Sequence, residues 1–203
     1  MFYKEHDDQA YSTTSFFLAY TTNELPFEVI SSILFALFAD FAAGLPRTPQ
    51  LFFTIAANVL CITNCGESLG IIFNTLFQHT GFTVNVTSSV LSIGVVMSGI
   101  MSTNMPTFLE GMNFISPVKY AMQNLVPYSL EGVKFTCKRS QRLPGKKCPV
   151  ETGQDVLKLY RMDGHIPWKN LVALVAATVI YRLVAYIAVI MRRGQWGVGV
   201  RKG

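Results

Sequence analysis

Residues 51–77 read LFFTIAANVLCITNCGESLGIIFNTLF, and Glu67 is the one charged side chain among them. A hydrocarbon core about 30 Å thick is crossed by roughly 20 apolar helical residues, so this stretch is long enough to span. A soluble fold would have to bury it on every side. Three further runs share the property. Thr80 to Thr107 holds no charge, and Leu171 to Met191 holds only Arg182. Glu24 to Leu45 carries Glu24 and Glu28 at one end and Asp40 near the other. The totals agree, since half of the 203 residues are hydrophobic and only 14% are charged, against about 25% in soluble domains. Mean hydropathy is +0.34. The expectation is an all-α membrane protein with four transmembrane helices, at about 24–45, 51–77, 83–104 and 169–191.

Between the runs lie short punctuators. Residues 44–49, GLPRTP, form a tight turn between spans one and two, and QHTG at 78–81 separates two from three. Residues 105–168 form a long connection rich in proline. Its first half, PTFLEGMNFISPVKYAMQNLVPYSLEG (106–132), is semi-apolar but too broken to cross, and reads as re-entrant or interfacial helices. Its second half, 133–168, reads as a polar loop followed by a short helix. Ahead of the spans, residues 3–21 read as an amphipathic helix, with Glu5, Asp7 and Asp8 at one end and Tyr11, Phe16, Phe17 and Tyr20 at loosely helical spacing. Acidic residues suit a helix N-terminus, and aromatics suit a membrane interface.

Four spans put both termini on one side. The tail carries Arg192, Arg193, Arg201 and Lys202 beside Trp196, which suits the cytosol and places the long connection outside. That connection is itself basic, against the simple rule, but long loops translocate largely regardless of charge. Cys137 and Cys148 flank ten residues containing a Pro-Gly turn. In an oxidising compartment they are expected to form a disulfide, worth on the order of 3 kcal/mol through loop closure; free thiols on a cytosolic loop are the alternative. Cys61 and Cys65 read as small packing residues inside a span.

The net charge of +5 raises the question of nucleic acid. The basic residues sit beside spans and in the long loop, without a recognition motif, so a nucleic-acid partner is excluded. Catalysis fares no better. His6, His79 and His165 are far apart in sequence, and no HExxH occurs. Gly145-Lys146-Lys147 fails as a phosphate loop, because Ser140 stands where the earlier glycine is needed. The chain is not expected to be an enzyme, or to hold a metal or cofactor.

Charges within spans are costly and tend to face a bundle interior. Glu67 and Arg182 each precede the end of their span by ten residues, at Phe77 and Arg192, or roughly 15 Å at helical rise. They are expected to pair and lock span two against span four, or else to face separate polar partners. In the third span Ser88 and Ser92, and Gly94, Ser98 and Ser102, recur four apart. Small residues at that spacing let helices approach closely, as packing, as a dimer face or as a cavity wall.

Three ordered blocks carry a family resemblance. MFYKEHDDQAYSTTSFFLAYTTNELP (1–26) resembles the F-x-R-E…Y…Y…E-x-P segment of the G subfamily of ABC transporters, the White and multidrug-resistance half-transporters, with Lys4 in place of arginine. VMSGIMSTNMPTFLEGMNFISPVKYAMQNLVPYSLEG (96–132) is similar to that family's block after its fifth span. CPVETGQDVLKLYRMDGHIPWKNLVALVAATVIYRLVAYIAVIMRR (148–193) looks like its closing loop and sixth span.

The resemblance implies that the four helices correspond to spans three to six of a six-span membrane domain. It also implies that the nucleotide-binding domain, carrying ATP and Mg, and the first two spans lie outside this chain. Partners so implied are those elements, a second half-transporter (homo- or heterodimer), the lipid bilayer and a small lipophilic substrate. Residue by residue, Glu5 and Tyr11 fall on the coupling helix that rests on the ATPase. Ile100 and Met101 fall at an apolar plug, Ser92 and Val95 face the cavity below it, and Cys137 and Cys148 match an external intrachain disulfide. The function expected is the membrane-spanning part of an ATP-driven exporter of lipid, sterol, pigment or drug. A four-span channel or scaffold with a stapled ectodomain is the alternative.

Overall fold

A computed structural model describes residues 12–44, 48–77, 79–98, 106–130, 132–136, 150–160, 162 and 167–199. Four helices in it are long and apolar enough to cross a membrane. They are α1 (Thr13–Ala43), α2 (Pro49–Leu76), α3 (Thr80–Met97) and, last in the chain, α7 (Pro167–Gly199). Between α3 and α7 come α4 (Thr107–Asn113), α5 (Pro117–Leu130) and α6 (Gly153–Leu159).

Local chemistry sets the ends of these helices. Ser12 caps α1 by accepting from the Ser15 amide, and Gly44 closes it at φ +61°, a conformation that glycine adopts without a Cβ penalty. Thr48 caps α2 from the Leu51 amide, with Pro49 in the first turn, where its missing N–H costs nothing. A break between an amphipathic helix ending near 21 and a span starting near 24 is not observed. α1 runs unbroken from Thr13 across that boundary, with Pro26 inside it; residues 3–11 of the expected amphipathic helix lie outside the described residues. Proline removes one intrahelical bond, that to the Thr22 carbonyl, and one lost bond does not end a helix of 31 residues. α3 stops at Met97, short of the expected 104. Ser98 caps it, its amide and its hydroxyl both donating to the Val95 carbonyl; residues 99–104 of the expected span lie outside the described residues.

α2 is the hub, packed against α1, α3, α5 and α7. Its buried residues, Leu51, Ile55, Asn58, Cys61, Cys65 and Ser68, recur every three or four positions and so form one stripe. Two apolar clusters lie along it. Ala36, Leu51 and Ile55 join α1 to α2, and Cys61, Ala121 and Leu174 join α2, α5 and α7. Several of these are small, as expected where close van der Waals approach rather than water exclusion brings helices together. The semi-apolar half of the long connection therefore contributes to the bundle itself. α5 packs on α2, α3 and α7, and Pro117, Val118, Ala121 and Asn124 are buried.

Polar bonds fix the register of that packing. Asn58 donates through Nδ2 to the Ala121 carbonyl (3.0 Å), and its Oδ1 accepts from Asn124 Nδ2 (3.1 Å). Thr178 on α7 lies 3.4 Å from both the Cys61 carbonyl and the Cys65 sulfur. Asn124→Leu leaves Asn58 Oδ1 without its partner, and a loss of about 1–2 kcal/mol is expected. Thermal unfolding in detergent, followed by helical circular dichroism, measures it. Adding Asn58→Leu should cost less than the two single losses summed.

The described residues of the polar half, 133–136 and 150–160, fold onto α5. Lys134 and Thr152 form an antiparallel bridge. Thr152 then caps α6 in a reciprocal box with Asp155. Hydrogen bonds from the Thr152 hydroxyl and from the Thr152 and Glu151 amides hold the Asp155 carboxyl below its ordinary range. A depressed carboxyl stabilises above its unfolded pKa and loses that contribution as pH falls through the folded one, so the cap operates at neutral pH.

Candidate functional site

Inside the bundle, α1, α2 and α7 bring five polar side chains around one guanidinium. Arg182 Nη1 on α7 lies 2.6 Å from Glu67 Oε2 on α2, with the two side chains 14% and 21% exposed. The structure thus brings together the two charges singled out in the sequence. Tyr20 on α1 donates to Glu67 Oε1 at 3.1 Å. Glu24, one turn on, approaches both Tyr20 and Glu67, and Glu28 accepts from Asn64 Nδ2. The Phe17 ring lies 5.7 Å from the guanidinium and packs on Tyr186, which bonds Thr14 through its hydroxyl.

This constellation holds three carboxyls and one cation. Desolvating such groups is costly unless each finds partners, and here the pairing is incomplete. Glu24 Oε2, Glu28 Oε1, Thr21 Oγ1 and Arg182 Nε are buried without a hydrogen bond. Among the described residues no set of histidine, cysteine, aspartate and glutamate is placed to hold a metal. What it can do is tie three long helices together through charge. Further along the bundle, Arg192 on α7 donates to the Asn74 carbonyl (2.8 Å) and to the Thr75 carbonyl, closing the exposed C-terminal end of α2 with a cation.

Sequence reasoning found Glu67 and Arg182 but missed Tyr20, Glu24, Glu28 and Asn64. The signal was present, because Tyr20, Glu24 and Glu28 stand four apart and therefore share one helix face. Asn64 likewise precedes Glu67 by three.

The third span divides by face. Gly94 faces the turn before α5, where a Cβ would lie 3.1 Å from Ser116 Oγ, and Ser98 is buried. Those small residues serve packing. Ser88, Ser92 and Val95 are exposed on the other side. Glu5, Tyr11, Ile100, Met101, Cys137 and Cys148 lie outside the described residues. The two described cysteines, Cys61 and Cys65, are free thiols.

Residues 1–127, more than half of the chain, match the ABC-2 type transporter family. The chain belongs to that family. This ABC-2 chain is a multi-pass integral membrane protein and the membrane part of an ABC-type transporter. It is 39% identical over 96% of its length to an uncharacterized ABC transporter ATP-binding protein/permease of Saccharomyces cerevisiae. It is 25% identical to the protein white of Ceratitis capitata and 27% to the protein scarlet of Drosophila melanogaster, over 95% and 92% of its length. Members of the ABC transporter G family of Arabidopsis thaliana are also similar to it, in agreement with the G-type resemblance read from the motifs. The chain spans 15% of the yeast protein and 28% of each insect protein.

Proposed function

We propose that this ABC-2 chain forms the membrane passage of an ATP-driven exporter of lipophilic molecules, of the lipid, sterol, pigment or drug kind. The ABC-2 match over residues 1–127 carries the reading. In it, ATP and Mg are bound by a nucleotide-binding domain that acts with this chain, not by residues described above. Two further spans and a second membrane half complete the assembly. Ser92 and Val95 line a cavity shared with that second half, below a plug at Ile100 and Met101. Their exposure on the outer side of α3 supports this. Glu5 and Tyr11 sit on the segment that couples to the ATPase, and Cys137 pairs with Cys148 in the outer loop. The broad apolar surface of α1, with Phe27, Phe38 and Phe41 exposed, suits contact with lipid or with further spans.

Inverted membrane vesicles containing the chain together with its ATPase test the proposal. ATP is expected to drive accumulation of a fluorescent lipophile, and a non-hydrolysable analogue is expected not to. Glu5→Arg should leave ATP hydrolysis near its normal rate while cutting accumulation about tenfold. Permeation by the chain that is indifferent to ATP would point to a channel instead, and normal accumulation by Glu5→Arg would remove the coupling role.

A further inference from the structure

A cavity of about 510 Å³ lies where the last turn of α5, the Lys134–Thr152 bridge and the first turns of α6 meet. It is lined by Tyr128 and Leu130 on α5, by Val133 and Lys134 on the chain leaving that helix, and by Gln154 and Leu157 on α6. Tyr128 also packs against Ala36, Leu51 and Ile55, so the cavity adjoins the end of the bundle where α1 finishes and α2 begins. α7 starts at the same end, its Asn170 donating to the Gln123 carbonyl of α5 at 3.4 Å. Trp168, in the first turn of α7, is 61% exposed, and such aromatic side chains collect where spans meet lipid headgroups. The cavity therefore lies near headgroup level.

Its chemistry is divided. Leu130, Val133 and Leu157 supply hydrocarbon, and Lys134 is the one charged residue among the described lining. Lys134 stands opposite Thr152 in the antiparallel bridge, flanked by the hydrogen bonds from Phe135 to Glu151 and from Gly153 to Val133. Side chains alternate along such a strand, so Lys134 and Thr152 share the cavity face and the Glu151 carboxylate belongs to the other. Lys134 has no ion pair among the described residues. Asp155 is taken up by the Thr152 hydroxyl and two amides, and the cation that acts on it is Lys158. Lys134 is exposed, and its ammonium is a point charge on a flexible stem. Gln154, also exposed, adds amide donors. The volume falls within the ~300–1,000 Å³ of small-molecule sites, which are mostly apolar with a few polar groups. Anionic lipids present a phosphate joined to hydrocarbon at this level, and basic side chains there attract them. A cationic headgroup would find no carboxylate among the described lining residues.

We propose that this cavity binds an anionic phospholipid, its phosphate held by Lys134 and one acyl chain packed against Leu130, Val133 and Leu157. The site is built by one chain and needs neither nucleotide nor a second half, so it stands or falls separately from the export reading.

Tritiated dioleoyl phosphatidylglycerol and dioleoyl phosphatidylcholine, added to the purified full chain in mild detergent, test it. The two share acyl chains and phosphate, and only the first carries a net negative charge. One saturable phosphatidylglycerol site per chain is expected, with phosphatidylcholine at least tenfold weaker. Excess glycerol phosphate, a headgroup without chains, should not displace the lipid. Lys134→Ala should bring phosphatidylglycerol down to the phosphatidylcholine level, and Lys134→Arg should keep most of its binding. Lys158→Ala removes an exposed charge of α6 that does not line the cavity, and should leave binding unchanged. Helical circular dichroism reports that each variant is folded. Absence of a saturable site on the unaltered chain would overturn the proposal, as would equal affinity for the two lipids or displacement by glycerol phosphate. An equal loss in Lys134→Ala and Lys158→Ala would overturn it too, because it would mean diffuse attraction to a basic surface.

Discussion

Arg182→Met is expected to cost the folded bundle about 3–5 kcal/mol, the range for removing one partner of a buried ion pair. Arg182 is bonded to Glu67 at 2.6 Å, with both side chains mostly buried. Without it, Glu67 keeps Tyr20 but faces Glu24 with no cation between them. Loss of folded material in size-exclusion profiles, and a lowered unfolding midpoint in detergent, would register the change. Arg182→Lys keeps the charge but not the flat guanidinium that lies over Phe17, and an ammonium does not replace that fork. It should recover part of the loss only. The sharper comparison is the exchange Glu67→Arg with Arg182→Glu. Each single change puts like charges together, whereas the double change restores one opposite pair between α2 and α7. Recovery of much of the lost stability is expected. A double variant no better than the worse single one would mean that this pair does not hold the two helices.

The four spans were legible because apolar length needs no partner to be recognised. The charge pair was legible for a related reason: Glu67 and Arg182 interrupt their runs at equal distances from the ends. What escaped was everything that depends on a neighbour. Glu24 and Glu28 look like ordinary span-end residues until α2 and α7 arrive with Asn64, Glu67 and Arg182, which are remote in sequence. The continuity of α1 escaped because a hydropathy boundary was taken for a helix boundary. At 1.5 Å per residue, a 31-residue helix reaches about 46 Å, well past a ~30 Å core, so its polar first turns need not form a separate element. Likewise α5, which starts at Pro117 and carries Pro127 inside it, has too short an apolar run to cross. Its place in the bundle rests on Val118, Ala121 and the Asn58–Asn124 bond, none of which announces itself in a linear pattern. The sidedness of α3 was hidden too, since serines at both of its faces obey the same spacing of four.

Gly153→Ala is expected to produce the largest local effect in the chain, detaching the α6 cap from α5. The reason is backbone against backbone. A Cβ at position 153 would lie 2.0 Å from the Leu130 carbonyl oxygen and 3.0 Å from its carbon. The glycine amide meanwhile donates to Val133 at 2.9 Å, and Phe135 donates to Glu151 beside it at 3.0 Å. Overpacking typically costs about 1–3 kcal/mol, and the upper end applies here because no flexible side chain is available to yield. α6 packs chiefly on α5, so the damage should stay local. Hydrogen exchange at the Gly153 and Phe135 amides should accelerate about a hundredfold, while the unfolding midpoint of the bundle moves little. Gly132→Ala is the graded comparison. That residue sits at φ +73° with open space around it, so an added methyl group meets only the left-handed backbone penalty of about 1–2 kcal/mol. Exchange unchanged in Gly153→Ala would show that α6 does not approach α5 this closely. Faster exchange in Gly132→Ala than in Gly153→Ala would mean that backbone conformation, not contact, governs the cap.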